Sequence, residues 1–91
     1  MTLTIGSVTF DRVSYDRDAD VLYLSVGDSS KAVDFDESAE GHALRYDSEG
    51  RLVGLTIVGA SELLERDSEI VVTPPQLRVE RDELAAVLAA A

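Results

Sequence analysis

The sequence predicts an α+β fold: a small, mainly antiparallel sheet built from two tandem β-hairpins, with a short helix after the second hairpin and a C-terminal helix. Three observations carry this. Residues 15–26 (YDRDADVLYLSV) recur thirty-one positions later as residues 46–57 (YDSEGRLVGLTI), with Tyr, Asp and Leu identical at the first, second and tenth places. In both copies a cluster of turn formers opens a run that alternates in side-chain direction with period two, the pattern of a strand leaving a tight turn. Beyond the second copy the apolar spacing lengthens to that of a helix.

Residues 8–15 are β-branched, aromatic and polar by turns and lead into the Asp-rich cluster 16–20, so they read as a strand followed by a turn. In the next strand Leu22, Leu24 and Val26 share one face and Val21, Tyr23 and Ser25 the other, which makes the first face the core side. The second copy repeats this with Val53, Leu55 and Ile57 against Leu52, Gly54 and Thr56. Each copy is therefore a hairpin, and both bury the same face. In the joint between them, 27–41, the run Ala32–Asp36 alternates apolar and acidic residues and predicts one further strand with Val33 and Phe35 facing inward. An acidic loop, 36–41, then leads to His42, which aligns with Asp11 of the first copy.

Gly59-Ala60-Ser61 punctuates the end of the second hairpin. Residues 61–66 are helix formers with Leu63 and Leu64 inward and acids that suit the N-terminal end of the helix dipole. This short helix is placed to cover part of a sheet that otherwise leaves one face open. Residues 70–73 are β-rich and stop at Pro74-Pro75; beyond them Leu84, Val87, Leu88 and Ala91 form one helical stripe. Two starts fit that helix: a capping box over 73–76 with proline at its first position, or, preferred, a start near Asp82 after a short extended segment Leu77-x-Val79. Its stripe either packs on its own sheet, the preferred reading, or faces another chain. The chain reads as a single domain, 1–91, in which 8–66 is the duplicated hairpin core with its short helix and 67–91 a C-terminal extension with strand and helix.

Ninety-one residues, 45% hydrophobic and 29% charged, suffice for one modest core, so self-association or a partner would add stability. The net charge of −10, from 18 acidic and 8 basic residues, repels phosphate backbones and anionic membranes and suits a small basic protein partner, a cationic ligand or plain solubility. Without cysteine there is no disulfide framework and no thiolate metal site. No apolar run has the length of a membrane span, and the N-terminus lacks the basic and apolar regions of a secretion signal, so the cytoplasm is expected. A single lysine beside seven arginines, with an alanine-rich C-terminus, matches the coding bias of a GC-rich bacterial genome.

The repeated Tyr-Asp has a conformational explanation. In the second copy Asp47 can accept backbone N–H groups two residues on, and Gly50 suits the left-handed position that closes such a turn. In the first copy Ala19 stands where Gly50 does, so either a left-handed alanine is strained by about 1 kcal/mol or the first turn is built differently. Asp16, Asp18 and Asp20 have the first three spacings of a calcium loop, but Val21, Leu22, Leu24 and Gly27 fill the positions that need glycine and further oxygen ligands. No metal site and no cofactor are therefore expected. Tyr15 and Tyr46 flank the turns, where an aromatic ring covers the hairpin mouth, and they and His42 are the binding candidates. His42 is the single histidine; a metal site would need Glu40 or Asp11 beside it, and Ser38 and Asp36 lack the spacing of a catalytic arrangement. Catalytic residues are not identifiable, and of the six glycines none forms a phosphate-binding loop.

Y-D-x-D-A-D-x-L-Y-L followed by G-H-A-L-R-Y-D-x-E-G-R-L-V-G-L-T-I-V-G-A-S resembles the small bacterial and archaeal family known as domain of unknown function 2283. The resemblance covers roughly residues 10–64, most specifically 15–24 and 46–61, and leaves 74–91 as an extension. It implies no activity, cofactor or catalytic residue. Such small families include partners in two-protein, toxin and antitoxin-like operons, so the resemblance is compatible with a non-enzymatic interaction module that forms homo-oligomers or binds a basic protein.

Overall fold

A computed structural model of the chain describes residues 2–27, 32–73 and 77–90. Along the chain run β1 (Leu3–Ile5), β2 (Val8–Phe10), β3 (Arg12–Asp16), β4 (Val21–Ser25), β5 (Asp34–Glu37), β6 (Ala43–Tyr46), β7 (Leu52–Val58), α1 (Ala60–Asp67), β8 (Glu69–Val72), β9 (Leu77–Glu80) and α2 (Arg81–Ala90). The central sheet is antiparallel with the order β3-β4-β7-β6-β5, and β1-β2 and β8-β9 form two separate ribbons.

The duplicated sequence becomes a duplicated sheet. Hairpins β3-β4 and β6-β7 meet along their second strands, with Leu24 opposite Leu55. These two leucines are the same position of the repeat, so a local twofold axis normal to the sheet passes between them. One register row, Val13, Leu24, Leu55 and Leu44, crosses four strands symmetrically about that axis. The alternation in β4 and β7 predicted which side is buried, and Leu22, Leu24, Val53, Leu55 and Ile57 are all in the interior.

Among the described residues, the elements that cover this sheet lie on that inner face. Leu22, Leu24, Leu44, Leu55 and Ile57 share one core with Ile5 and Phe10 of the first ribbon, Ala60 and Leu64 of α1, Ile70, Val72, Leu77 and Val79 of the second ribbon, and Leu84 and Val87 of α2. Burying each such large side chain is favourable by roughly 1.5–3 kcal/mol, so these two layers supply most of the cohesion available to a chain this short. α2 packs into its own domain, beginning after the extended β9 as the preferred sequence reading has it. Residues 74–76 and Ala91, which bear on the alternative helix start and on the end of its stripe, lie outside the described residues.

At eight residues α1 is shorter than an isolated helix needs, roughly 12–15, and its ends are held by distant parts of the chain. Its C-terminal turn closes on Ser68, which is left-handed at φ 63° and donates its N–H to the Leu64 carbonyl at 2.9 Å. The Arg81 guanidinium donates to the same carbonyl at 2.6 Å and places a positive charge at the negative end of the helix dipole.

Two expectations need correction. Residues 8–15 are not one strand: the chain breaks at Asp11 into β2, which pairs with β1, and β3, which pairs with β4. The further strand exists as β5, but Val33 and Phe35 do not face inward; they are 59% and 72% exposed. Phe35 is in register with Arg45, which lies opposite Gly54, so the pairing puts Phe35 on the outer face while Asp36, opposite Leu44, takes the inner side. At a sheet edge neither face is enclosed, and alternation alone does not reveal which is inside.

Candidate functional site

The three candidate side chains go to three different places. Because β4 and β7 run antiparallel, the two Tyr-Asp turns lie at opposite ends of the sheet, with Tyr15 opposite Leu22 and Tyr46 opposite Leu52. Both rings pack against the edge of the core from the inner face, at diagonal corners. His42 is buried at the start of β6, lining a crevice of about 300 Å³ with Glu40, Leu63, Arg66, Asp67, Glu69, Ile70 and Val71. A second crevice, of about 400 Å³, is formed by Ser68, Glu69, Glu80, Arg81 and Asp82. Neither crevice contains a tyrosine.

At the first corner the geometry forms a latch. The Tyr15 hydroxyl donates to Asp20 Oδ1 at 2.6 Å, and the Ser61 backbone N–H donates to the same oxygen at 2.9 Å. The Asp20 carbonyl accepts the N–H groups of Gly59 and Ala60 at 2.8 and 3.2 Å. Asp20 thus satisfies amides at the start of α1 that the helix itself leaves without partners, while Gly59, the residue before the helix, offers no side-chain cap. Burial alone would push the Asp20 carboxyl up; the hydrogen bonds from Tyr15 and from the Ser61 N–H and hydroxyl outweigh it and hold it below the ordinary carboxylate value. Tyr15 moves the opposite way, raised chiefly because its proton is shared with that carboxylate and secondarily by burial.

This latch also resolves the alanine. The left-handed residue of the first turn is Asp20, with φ 55°, and not Ala19. Four residues, 17–20, link the paired Asp16 and Val21, so the left-handed site falls one place later than an ungapped alignment on Gly50 requires. Aspartate is among the few residues other than glycine that adopt this conformation readily.

The second turn is closed on itself. Asp47 Oδ1 accepts the N–H groups of Glu49 and Arg51, both at 2.9 Å, and its Oδ2 accepts Arg51 Nε at 3.0 Å. Gly50 takes the left-handed conformation at φ 79°, and a register shift between Arg45 and Tyr46 bulges the hairpin. The Arg51 N–H first, then that of Glu49 and the Arg51 guanidinium, draw the Asp47 carboxyl below its usual range against the opposing effect of burial. Tyr46 is raised by burial and by the charge of Asp36.

Around His42 the polar groups serve the fold. The His42 N–H donates to Ser38 Oγ at 2.9 Å, Ala39 N–H to the Thr73 carbonyl at 2.8 Å, and Thr73 N–H to Glu40 Oε1 at 2.8 Å. These bonds stitch the β5-β6 turn to the end of β8. Burial would raise the Glu40 carboxyl, but its bonds with Thr73 leave it below the ordinary value. The other charges of the crevice are engaged too, Arg66 with Asp67 at 3.0 Å and Glu69 with Arg78 at 2.9 Å.

The outer face of the sheet is different. Phe35, Val58 and Tyr23 are 72%, 71% and 43% exposed there, around a floor of Ala43, Gly54, Thr56 and Ser25. Arg45 lies flat across that floor: a Cβ on Gly54 would come within 2.6 Å of Arg45 Nε. A glycine inside a run of strand formers is the sequence signal of such a close approach. The strand register assigns Arg12, Arg45, Asp16 and Glu37 to this face, so it carries no net charge in a chain of −10. The latch left no comparable mark in the sequence, since Asp20 and Ser61 are forty-one residues apart and each has a local use as a turn former.

Fold and surface together define a small α+β protein with a twofold-repeated sheet, covered on one face and, among the described residues, bare on the other. The chain belongs to the family described as Protein of unknown function (DUF2283), whose model matches residues 12–61, more than half its length. That span runs from the first residue of β3 to the residue whose amide completes the latch. Among the described core residues, nine of fifteen lie outside it, so the flanking segments supply the cover for the inner face of the family's sheet. No curated protein and no solved structure matches the chain significantly.

Proposed function

We propose that the protein is a non-enzymatic interaction module whose bare sheet face docks against a partner protein. The supporting observation is that face: exposed Phe35, Val58 and Tyr23 surround a floor of small side chains and an extended arginine, with no layer over them among the described residues. Large apolar side chains left exposed together on one face of a small domain point to an interaction site. Aromatic and arginine side chains are the types that anchor interfaces, and a guanidinium lying flat offers its faces for stacking.

The distribution of charge favours a basic partner. A neutral, partly apolar centre on a body of −10 suits a protein with an apolar contact and a positive surround, because long-range attraction steers the encounter while the centre desolvates. An antitoxin-like masking role, in which this chain covers a small basic protein encoded beside it, is the biological form this takes. The test is co-expression with the product of the adjacent gene. A complex that survives purification with the native chain and is lost with Phe35→Ser/Val58→Ser, the variant keeping its far-ultraviolet circular dichroism, supports the reading. A complex unaffected by that variant, or neighbouring products that all fail to bind, sinks it.

A further inference from the structure

We infer that the free edge of β3 is a self-complementary pairing surface, through which a second copy of the chain extends the central sheet across a twofold axis at Ser14. The inference rests on the interaction-module reading and names one partner, another copy, at the edge strand β3 and not at Phe35 and Val58.

The repeat shows that no strand lies beside β3 within the described chain, although α2 packs near it. On one side of the local twofold, β6 is flanked by β5, residues 34–37. The residues thirty-one positions earlier, 3–6, contain β1, but β1 pairs with β2 in a separate ribbon, leaving β3 as the last strand of its sheet. Its outer backbone N–H and C=O groups therefore form an open template for another strand.

The strand reads Arg12-Val13-Ser14-Tyr15-Asp16. Set antiparallel to itself about Ser14, it places Arg12 opposite Asp16 of the second copy and Asp16 opposite Arg12 of the second copy. On the other face Val13 meets Tyr15, again twice. Opposite charges and aromatic against β-branched side chains are both favourable cross-strand pairs. Arg12 and Asp16 are exposed, and neither has an ion-pair partner among the described residues, although Asp16 Oδ1 accepts the Ala19 N–H at 3.2 Å. Val13 and Tyr15 are half-buried at this edge and would be covered further.

The opposite edge is closed to the same pairing. β5 reads Asp34-Phe35-Asp36-Glu37, and two such strands would set acid against acid. Self-association through β3 is therefore isologous: it consumes the one compatible edge of each copy and stops at a dimer instead of growing into a filament. A contact along one short strand is smaller than the roughly 800 Å² per partner of a standard stable complex, so the dimer forms in a concentration-dependent equilibrium.

Sedimentation equilibrium of the full chain at a fixed salt of about 0.15 M, where the repulsion between two bodies of −10 is screened beyond about 8 Å, tests this. The native chain is expected to show a monomer–dimer equilibrium. Arg12→Asp and Asp16→Arg each place like charges opposite one another and should weaken the dimer by about tenfold. The double swap Arg12→Asp/Asp16→Arg restores opposite pairs and should recover most of the native affinity. Asp16→Arg also loses a turn contact, so circular dichroism accompanies each variant; Arg12→Asp removes no described contact and serves as the clean single change. A native chain that stays monomeric at all concentrations, or a dimer indifferent to Arg12→Asp, overturns the proposal. So does a double swap no better than the singles. Phe35→Ser/Val58→Ser should leave this dimer intact, so failure here is separable from failure of the outer-face reading.

Discussion

The two Tyr-Asp turns begin from the same sequence and end in different jobs. In the second, Asp47, Gly50 and Arg51 satisfy one another within five residues, and none of these bonds reaches outside the turn. In the first, which lacks the bulge of the second, the left-handed site is Asp20, whose carboxylate joins Tyr15 of its own hairpin to the first turn of α1. The residue equivalent to Asp20 in the second copy is Arg51, which carries the opposite charge and turns back on Asp47 and Glu49. Duplication preserved the sheet because the register row through Leu24 and Leu55 needs both halves. At the turns it left one copy free to become a long-range tie.

That contrast is open to direct attack. The largest effect is expected for Asp20→Ala, which removes the cap of α1, strands the Tyr15 hydroxyl and puts alanine at a left-handed site; together these should cost about 2–3 kcal/mol in urea unfolding. Its counterpart Arg51→Ala removes an exposed guanidinium from two ion pairs and should cost less than about 0.5 kcal/mol. Comparable losses for the two would erase the distinction.

Glycine scanning locates the strain. Gly50→Ala should destabilise by about 1–2 kcal/mol because its φ is 79°. Ala19→Gly should bring no gain beyond about 0.3 kcal/mol, since Ala19 is not left-handed. A clear stabilisation by that change, read from the urea midpoint, would return the strained position to Ala19.

Tyr15→Phe should cost about 1 kcal/mol, the net value of one part-buried hydrogen bond to a carboxylate, and Tyr46→Phe less than about 0.5 kcal/mol, since Tyr46 makes no side-chain hydrogen bond among the described residues. Equal effects by thermal unfolding would place the tie elsewhere.

The pH dependence is the smallest and finest test. Folding lowers the Asp20 carboxyl below its ordinary 3.8, so its stabilisation is complete above that value and is lost as pH falls through the lowered one. Tyr15 is raised above 10.0, so its contribution is complete below pH 10 and fades as pH rises through the raised value. Asp20→Asn should flatten the acid limb of a stability profile without touching the part due to Asp47, and an unchanged acid limb would deny Asp20 its role.

Much of the architecture was legible in the sequence because a repeat compares the chain with itself. It located both hairpins, and period-two alternation identified Leu22, Leu24, Leu55 and Ile57 as interior. Helical spacing found Leu64, Leu84 and Val87. The ribbon β1-β2 escaped because three-residue strands are too short to show a period, and the inward assignment of Phe35 failed because an edge strand presents both faces to solvent. Of the site, the sequence singled out Tyr15 correctly as a turn-flanking ring, but its partner Asp20 looked like one more acid in a solvated turn. A contact with Ser61 forty-one residues away is a consequence of how the sheet and α1 dock, and no local pattern encodes it. The place of Arg45 across the sheet was hidden for the same reason, with Gly54 its one visible trace.

Asp20 caps α1 from the first turn, and amide hydrogen exchange at Ser61 probes that tie directly. An amide at the start of a helix has no partner within that helix, so without Asp20 it should exchange almost as fast as in an unfolded chain. The latch predicts a Ser61 amide slowed by about tenfold or more in the native protein, with the protection lost in Asp20→Ala while the amides of β4 and β7 stay protected. A Ser61 amide that exchanges freely in the native chain, or that keeps its protection in Asp20→Ala, would contradict it.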